Sequence, residues 1–148
     1  MKGIGIDFGT SNSAVAVFDG IKVQMIEVEP GAQTVPTAIH LDRDFQALSG
    51  SVAIRSYVEE NANRRIEMTA KVIAEVETEF SDGQEGEGGN QKLYGAAEDH
   101  DLPGRLFLGI KRLLGKESIR RLMVFDRPYR LVALITPILL SLRKAINT

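Results

Sequence analysis

The chain contains no cysteine. Disulfide frameworks, thiolate metal sites and thiol nucleophiles are therefore excluded together, and the composition fits a reducing compartment. Histidine is nearly absent too: His40 and His100 lie far apart and share no ligand spacing, which argues against a zinc site. Long apolar runs are missing. The opening MKGIGIDFG has no apolar run of signal-peptide length, and the stretch from Leu131 to Leu142 is interrupted by Thr136, Pro137 and Ser141. The expectation is a soluble, cytoplasmic chain that does not span a membrane. The acidic stretch from Glu75 to Asp101 lacks the alternating Asp/Asn order of a calcium loop, so it reads as a solvated segment.

What is present suits one globular domain: 148 residues, 43% of them hydrophobic. A chain of this length buries about two thirds of its unfolded surface. The formal net charge of -2 conceals an asymmetry. Residues 1–101 carry 8 Lys/Arg against 18 Asp/Glu, whereas residues 102–148 carry 10 against 2. Such a split suits a nucleic-acid surface, an acidic tail, or two faces of one molecule that meet.

Apolar runs from Gly3 to Asp7 and from Ser13 to Phe18, then Asp19-Gly20 and the alternation Ile21, Val23, Met25, predict a meander of three strands. An extended piece follows at Thr37 to Leu41, after the turn signal Pro30-Gly31. Val58, Ala62, Ile66, Ala70, Ile73, Val76 and Phe80 recur at helical spacing and predict an amphipathic helix over 58–80. The glycine-rich acidic stretch 81–90 reads as a mobile loop. Leu106, Phe107, Ile110, Leu113 and Leu114 suggest a short helix ending at Gly115. Strands are expected at Leu122 to Phe125 and Tyr129 to Ala133, around Asp126-Arg127-Pro128. Thr136-Pro137 then reads as the N-cap and first turn of a last helix.

The chemistry concentrates in Gly5-Ile6-Asp7-Phe8-Gly9-Thr10-Ser11-Asn12-Ser13. Gly9 lets the backbone approach a ligand closely. Successive amides of Gly9, Thr10 and Ser11 can converge on an anion, with two hydroxyls as further donors. Asp7, at a strand end, can orient water around magnesium, an ion that takes few carboxylates and keeps several waters. The dinucleotide fingerprint fails because Phe8 stands at the third glycine's place, and no G-x-x-x-x-G-K-[ST] occurs. A phosphate loop inside a hairpin is the arrangement of the actin-like ATPase superfamily.

Gly5 to Ser13, continued by Ala14-Val15-Ala16-Val17 and Asp19-Gly20, resembles the first phosphate motif and following strand of Hsp70 chaperones. Phe107-Leu108-Gly109-Ile110-Lys111-Arg112-Leu113-Leu114-Gly115 is similar to the family segment whose lysine faces the γ-phosphate. Pro36-Thr37, Ser49-Gly50 and the stretch from Thr136-Pro137 to Ile146 also fall in matching places. The resemblance implies an α/β fold, the ribonuclease-H-like first lobe of an actin/Hsp70 ATPase domain, with a mixed sheet, flanking helices and a small α/β sublobe. It divides the chain into a phosphate-loop meander (1–50), an inserted sublobe with an acidic loop at 81–101 (51–135) and a closing helix (136–148).

It further implies ATP/ADP and Mg2+ as ligands. Gly9, Thr10, Ser11 and Asn12 would hold phosphates, Asp7 a magnesium-bound water, and Lys111 the charge of the transferring phosphoryl group. Residues 57–102 are inserted relative to the common Hsp70 pattern, more like the divergent YegD-type proteins. The second phosphate motif, the adenosine-binding glycines and the peptide-binding domain do not occur in this sequence, so the expectation is a lobe inactive alone. A full-length parent would use its ATPase cycle on a polypeptide client, with co-chaperones, and the surface for the missing lobe could self-associate. Two alternatives stay open. One is a non-catalytic interaction or regulatory module. The other is a nucleic-acid binder using Lys111, Arg112, Lys116, Arg120, Arg121, Arg127 and Arg130, although aromatic partners there are few.

Overall fold

A computed structural model of the chain describes residues 3–70, 72–77, 90–94, 98–116 and 119–147. In order the strands are β1 (Gly3–Phe8), β2 (Asn12–Phe18), β3 (Val23–Met25), β4 (Thr34–Pro36), β5 (Ala38–Asp42) and β6 (Ala47–Ser49), followed by helix α1 (Ser51–Asn61). Strands β7 (Met68–Thr69), β8 (Val72–Glu77), β9 (Asn90–Tyr94), β10 (Glu98–Asp99) and β11 (Gly104–Leu108) come next. A 3-10 turn (Ile110–Leu113), β12 (Arg121–Val124), β13 (Arg127–Arg130) and α2 (Leu131–Ile146) complete the chain. Two compact units result: Met1–Asn63 with Pro103–Thr148, and Arg64–Leu102.

In the first unit, β1 and β2 form an antiparallel ladder running from Gly3↔Phe18 to Phe8↔Ser13. The other edge of β2 is shared, since β3 pairs with Ala16 to Phe18 and β4 with Asn12 to Ala14. The predicted Asp-Gly hairpin is present, and Asp19 Oδ1 accepts from the Ile21 and Lys22 amides at 2.8 and 2.9 Å. A second sheet runs β11-β5-β6, all antiparallel. Its central strand is buried from Ala38 to Leu41, and α1 and α2 both contact it. Val15, Val35, Ile39 and Leu41 from the strands meet Leu134, Ile138 and Leu142 of α2 in one apolar cluster. Each such side chain contributes roughly 1.5–3 kcal/mol on burial.

Four elements depart from the sequence reading. The helix expected over 58–80 ends at Asn61, and β7 and β8 occupy Met68–Thr69 and Val72–Glu77. Of its stripe, Val58 and Ile66 are exposed. The β-branched Val72 and Val76 instead suit strand pairing, opposite Tyr94 and Gln91 of β9. Leu106 and Phe107 lie in β11 rather than in a helix, paired opposite His40 and Ile39. The chain turns only at Ile110. The second strand of the late hairpin ends at Arg130, and its turn is Phe125-Asp126, both at positive φ.

The last helix starts at Leu131, well before Thr136. Leu131, Leu134, Ile138 and Leu142 form one buried stripe, and burial of its first members outweighs the signal of Pro137 inside the helix. Thr136 Oγ1 accordingly donates to the Val132 carbonyl at 2.9 Å, a mid-helix bond rather than a cap. Residues 81–89 of the expected loop lie outside the described residues, and Asn90 begins β9. Among the described residues no helix is long and apolar enough to cross a membrane.

In the second unit β8 pairs with β9, and β7 pairs with β10. Arg64 forms a bidentate ion pair with Asp99.

Candidate functional site

The β1–β2 ladder closes at Phe8↔Ser13, so Gly9, Thr10, Ser11 and Asn12 make the connection. A Cβ on Gly9 would stand 2.1 Å from the Asn12 carbonyl oxygen, so no other residue fits without moving the backbone. The loop is anchored from behind. The Thr37 amide donates to the Ser11 carbonyl at 2.8 Å, and the buried Ser13 and Thr37 hydroxyls share a hydrogen bond of 2.8 Å. The backbone is thus fixed while Ser11 and Asn12 stay exposed.

In front of the loop lies a cleft of about 460 Å³. Thr10, Ser11 and Asn12 form one wall, and Leu108, Gly109 and Arg112 form another. Pro36, Thr37 and Ile54 complete it. Gly109 is left-handed, at φ 63° and ψ 22°, where β11 turns into the 3-10 segment. A Cβ there would lie 3.8 Å from Thr10 Cγ2 on the opposite wall, and 3.9 Å from the guanidinium carbon of Arg112 on its own. Two hydroxyl residues and Asn12 thus line one side of a small cleft and an arginine the other, a combination suited to phosphate oxygens.

The predicted site residues divide into three places. Thr10, Ser11 and Asn12 share the cleft. Lys111 sits on the 3-10 turn with Nζ donating to the Phe8 carbonyl at 2.5 Å and lying 6.0 Å from the Phe8 ring centre. Asp7, exposed on β1, lines a separate hollow of about 290 Å³ with Gly5, Ala14, Ala16 and Met25. Arg112 is the residue that motif reading passed over as a phosphate ligand. Its one signal in the sequence was its place beside Lys111, on the same short turn. The donor set of the cleft fits a phosphate. Asp7, the carboxylate expected to hold a magnesium-bound water, does not line this cleft.

The model of the family described as Hsp70 protein matches residues 3–82. The matched span includes the whole Gly9–Asn12 loop and β1 to α1, and it stops before Lys111 and Arg112. With more than half of its length matched, this chain belongs to the Hsp70 protein family.

Proposed function

We propose that the first unit is a nucleotide-binding lobe of an Hsp70-type ATPase and that the Gly9–Asn12 loop receives the phosphates of ATP or ADP. Members of the family bind these nucleotides with magnesium and act on polypeptide clients. The observation that carries the reading is the loop itself: a hairpin turn closed so tightly that Gly9 admits no Cβ, opening onto a cleft with Arg112 opposite. In this reading Thr10 and Ser11 donate to phosphate oxygens from one wall. Arg112 compensates charge from the other, and Lys111 approaches the phosphoryl group once released from the Phe8 carbonyl. Magnesium, when bound, would screen phosphate charge, with Asp7 orienting one of its waters.

The antiparallel order β1-β2-β3 is the expected start of a ribonuclease-H-like lobe, and that architecture belongs to the proposal. So does the division into a meander (1–50), a sublobe (51–135) and a closing helix (136–148). A divergent, YegD-like position in the family is supported by residues 64–102, which fold as a unit of their own within the stretch inserted relative to the common pattern.

The test is calorimetric and thermal-shift titration with Mg-ATP and Mg-ADP, using the parent chain, Thr10→Ala and Arg112→Gln. Saturable, magnesium-dependent binding is expected, weakened about tenfold or more by either substitution. Binding that neither variant alters, or no shift at millimolar nucleotide, would overturn the assignment.

A further inference from the structure

We propose that Thr37 is a positioning residue for the cleft, holding the Gly9–Asn12 loop and the turn that carries Arg112 at one separation so that a ligand meets both walls together. Its consequence for binding rests on the nucleotide reading of the cleft; its geometry does not.

Thr37 stands alone between β4, which ends at Pro36, and β5, which begins at Ala38, and so joins the first sheet to the second. On one side it grips the loop twice. Its amide donates to the Ser11 carbonyl at 2.8 Å, and its hydroxyl shares a 2.8 Å hydrogen bond with that of Ser13, where the β1–β2 ladder closes. On the other side it leads into the second wall. Ala38 pairs with Leu108, the last residue of β11, and the chain turns there through Gly109 towards Arg112. The Ala38 carbonyl also accepts from the Gly50 amide at 3.0 Å, at the start of α1, whose Ile54 completes the cleft. Loop, turn and helix are thus all tied to two consecutive residues.

Thr37 reaches the cleft wall, yet it is 1% exposed and its hydroxyl is bonded to Ser13, so it acts on a ligand through the loop rather than by contact. The hydroxyl pair also allows stability and position to be separated. A valine at 37 keeps the shape and the amide bond but leaves the Ser13 hydroxyl buried without its partner, which destabilises the fold. Removing both hydroxyls lifts that penalty, because two apolar groups of similar shape are close to neutral, although the loop has still lost one of its two ties. A purely structural role predicts that every property recovers in the double variant. A positioning role predicts that the melting temperature alone recovers.

Three quantities are to be measured in the parent, Thr37→Ser, Thr37→Val and the Ser13→Ala, Thr37→Val double variant: the melting temperature, the affinity for Mg-ADP, and the nuclear Overhauser contact between the Thr10 methyl and the Gly109 α-protons. That contact reads the wall separation directly, since Thr10 Cγ2 lies 3.8 Å from the place of a Cβ on Gly109. Thr37→Ser should match the parent in all three. Thr37→Val should melt lower, lose most of the Overhauser intensity and bind Mg-ADP about tenfold more weakly. In the double variant the melting temperature should return towards the parent's while the other two losses remain, and this variant carries the test if Thr37→Val does not fold. An intact Overhauser contact in the double variant, parent-like affinity there, or the same losses in Thr37→Ser would each overturn the role of Thr37. A parent that gives no response to nucleotide would overturn the nucleotide reading instead, and the Overhauser contact alone then decides whether Thr37 sets the separation.

Discussion

Gly9 and Asp19 close the two ends of β2 by opposite means, one by having no side chain and one by using its side chain as a scaffold. An alanine at position 9 would collide with the Asn12 carbonyl, so Gly9→Ala must reopen the loop. The expected cost is about 1–3 kcal/mol in urea unfolding, with nucleotide response lost at the same time. Asp19 holds its turn with a carboxylate that accepts from the Lys22 and Ile21 amides, and these bonds lower its pKa below the ordinary 3.8. The charged form is the one that fits the fold. Its contribution is therefore complete above the unfolded value and is lost as pH falls through the lower folded one. Asp19→Asn keeps an acceptor oxygen and removes the titration. Thermal melts between pH 5 and pH 2 should show a shallower acid decline in the variant, and an unchanged slope would remove Asp19 from the acid response.

Among the elements, α2 shows how tertiary burial overrides a local signal. Thr136-Pro137 has the chemistry of a helix start, yet the helix already runs from Leu131 because Leu131 and Leu134 continue the buried stripe of Ile138 and Leu142. Ile138→Ala should cost about 2–5 kcal/mol in chemical denaturation, whereas Leu140→Ala, on the exposed face at 55%, should stay near 0.5. Similar costs for both would mean that the stripe is not the core face. The same contrast separates what was legible in sequence from what was not. The β1 to β3 meander, the Asp19-Gly20 turn and the strand at Ala38–Asp42 follow from alternation and turn residues acting over a few positions. Val58 to Phe80 has helical spacing, but whether such a stripe is buried depends on partners distant in sequence. Val58 and Ile66 found none and stand exposed. In the cleft, the Gly9–Asn12 loop was legible because its glycine and hydroxyl residues are consecutive in sequence. Arg112 was not, because the turn that aims it is set by β11 pairing with β5, some seventy positions away in sequence.

At the scale of the whole chain, residues 64–102 interrupt a unit that is otherwise continuous in space. Where the chain leaves that unit, Glu60 Oε2 lies 3.0 Å from Nε2 of the buried His40, within ion-pair reach though not aligned as a hydrogen bond. Where it returns, Gly104 lies against the same ring: a Cβ there would stand 2.1 Å from His40 Nε2 and 3.1 Å from Glu60 Oε2. Exit and return therefore converge on one histidine, and a short bridge can join them without stretching either end. The first unit also contains the apolar cluster from Val15 to Leu142, among the described residues, and both walls of the Thr10–Arg112 cleft. Replacing residues 64–102 with a short Gly-Ser linker should therefore preserve a cooperative melt within a few degrees of the parent, because loop-closure entropy changes only slowly with loop length. The Mg-ATP response should survive with it. A chain that melts without cooperativity would show that the inserted unit supports the first one. A cooperative melt with the nucleotide response gone would place part of the nucleotide site in residues 64–102.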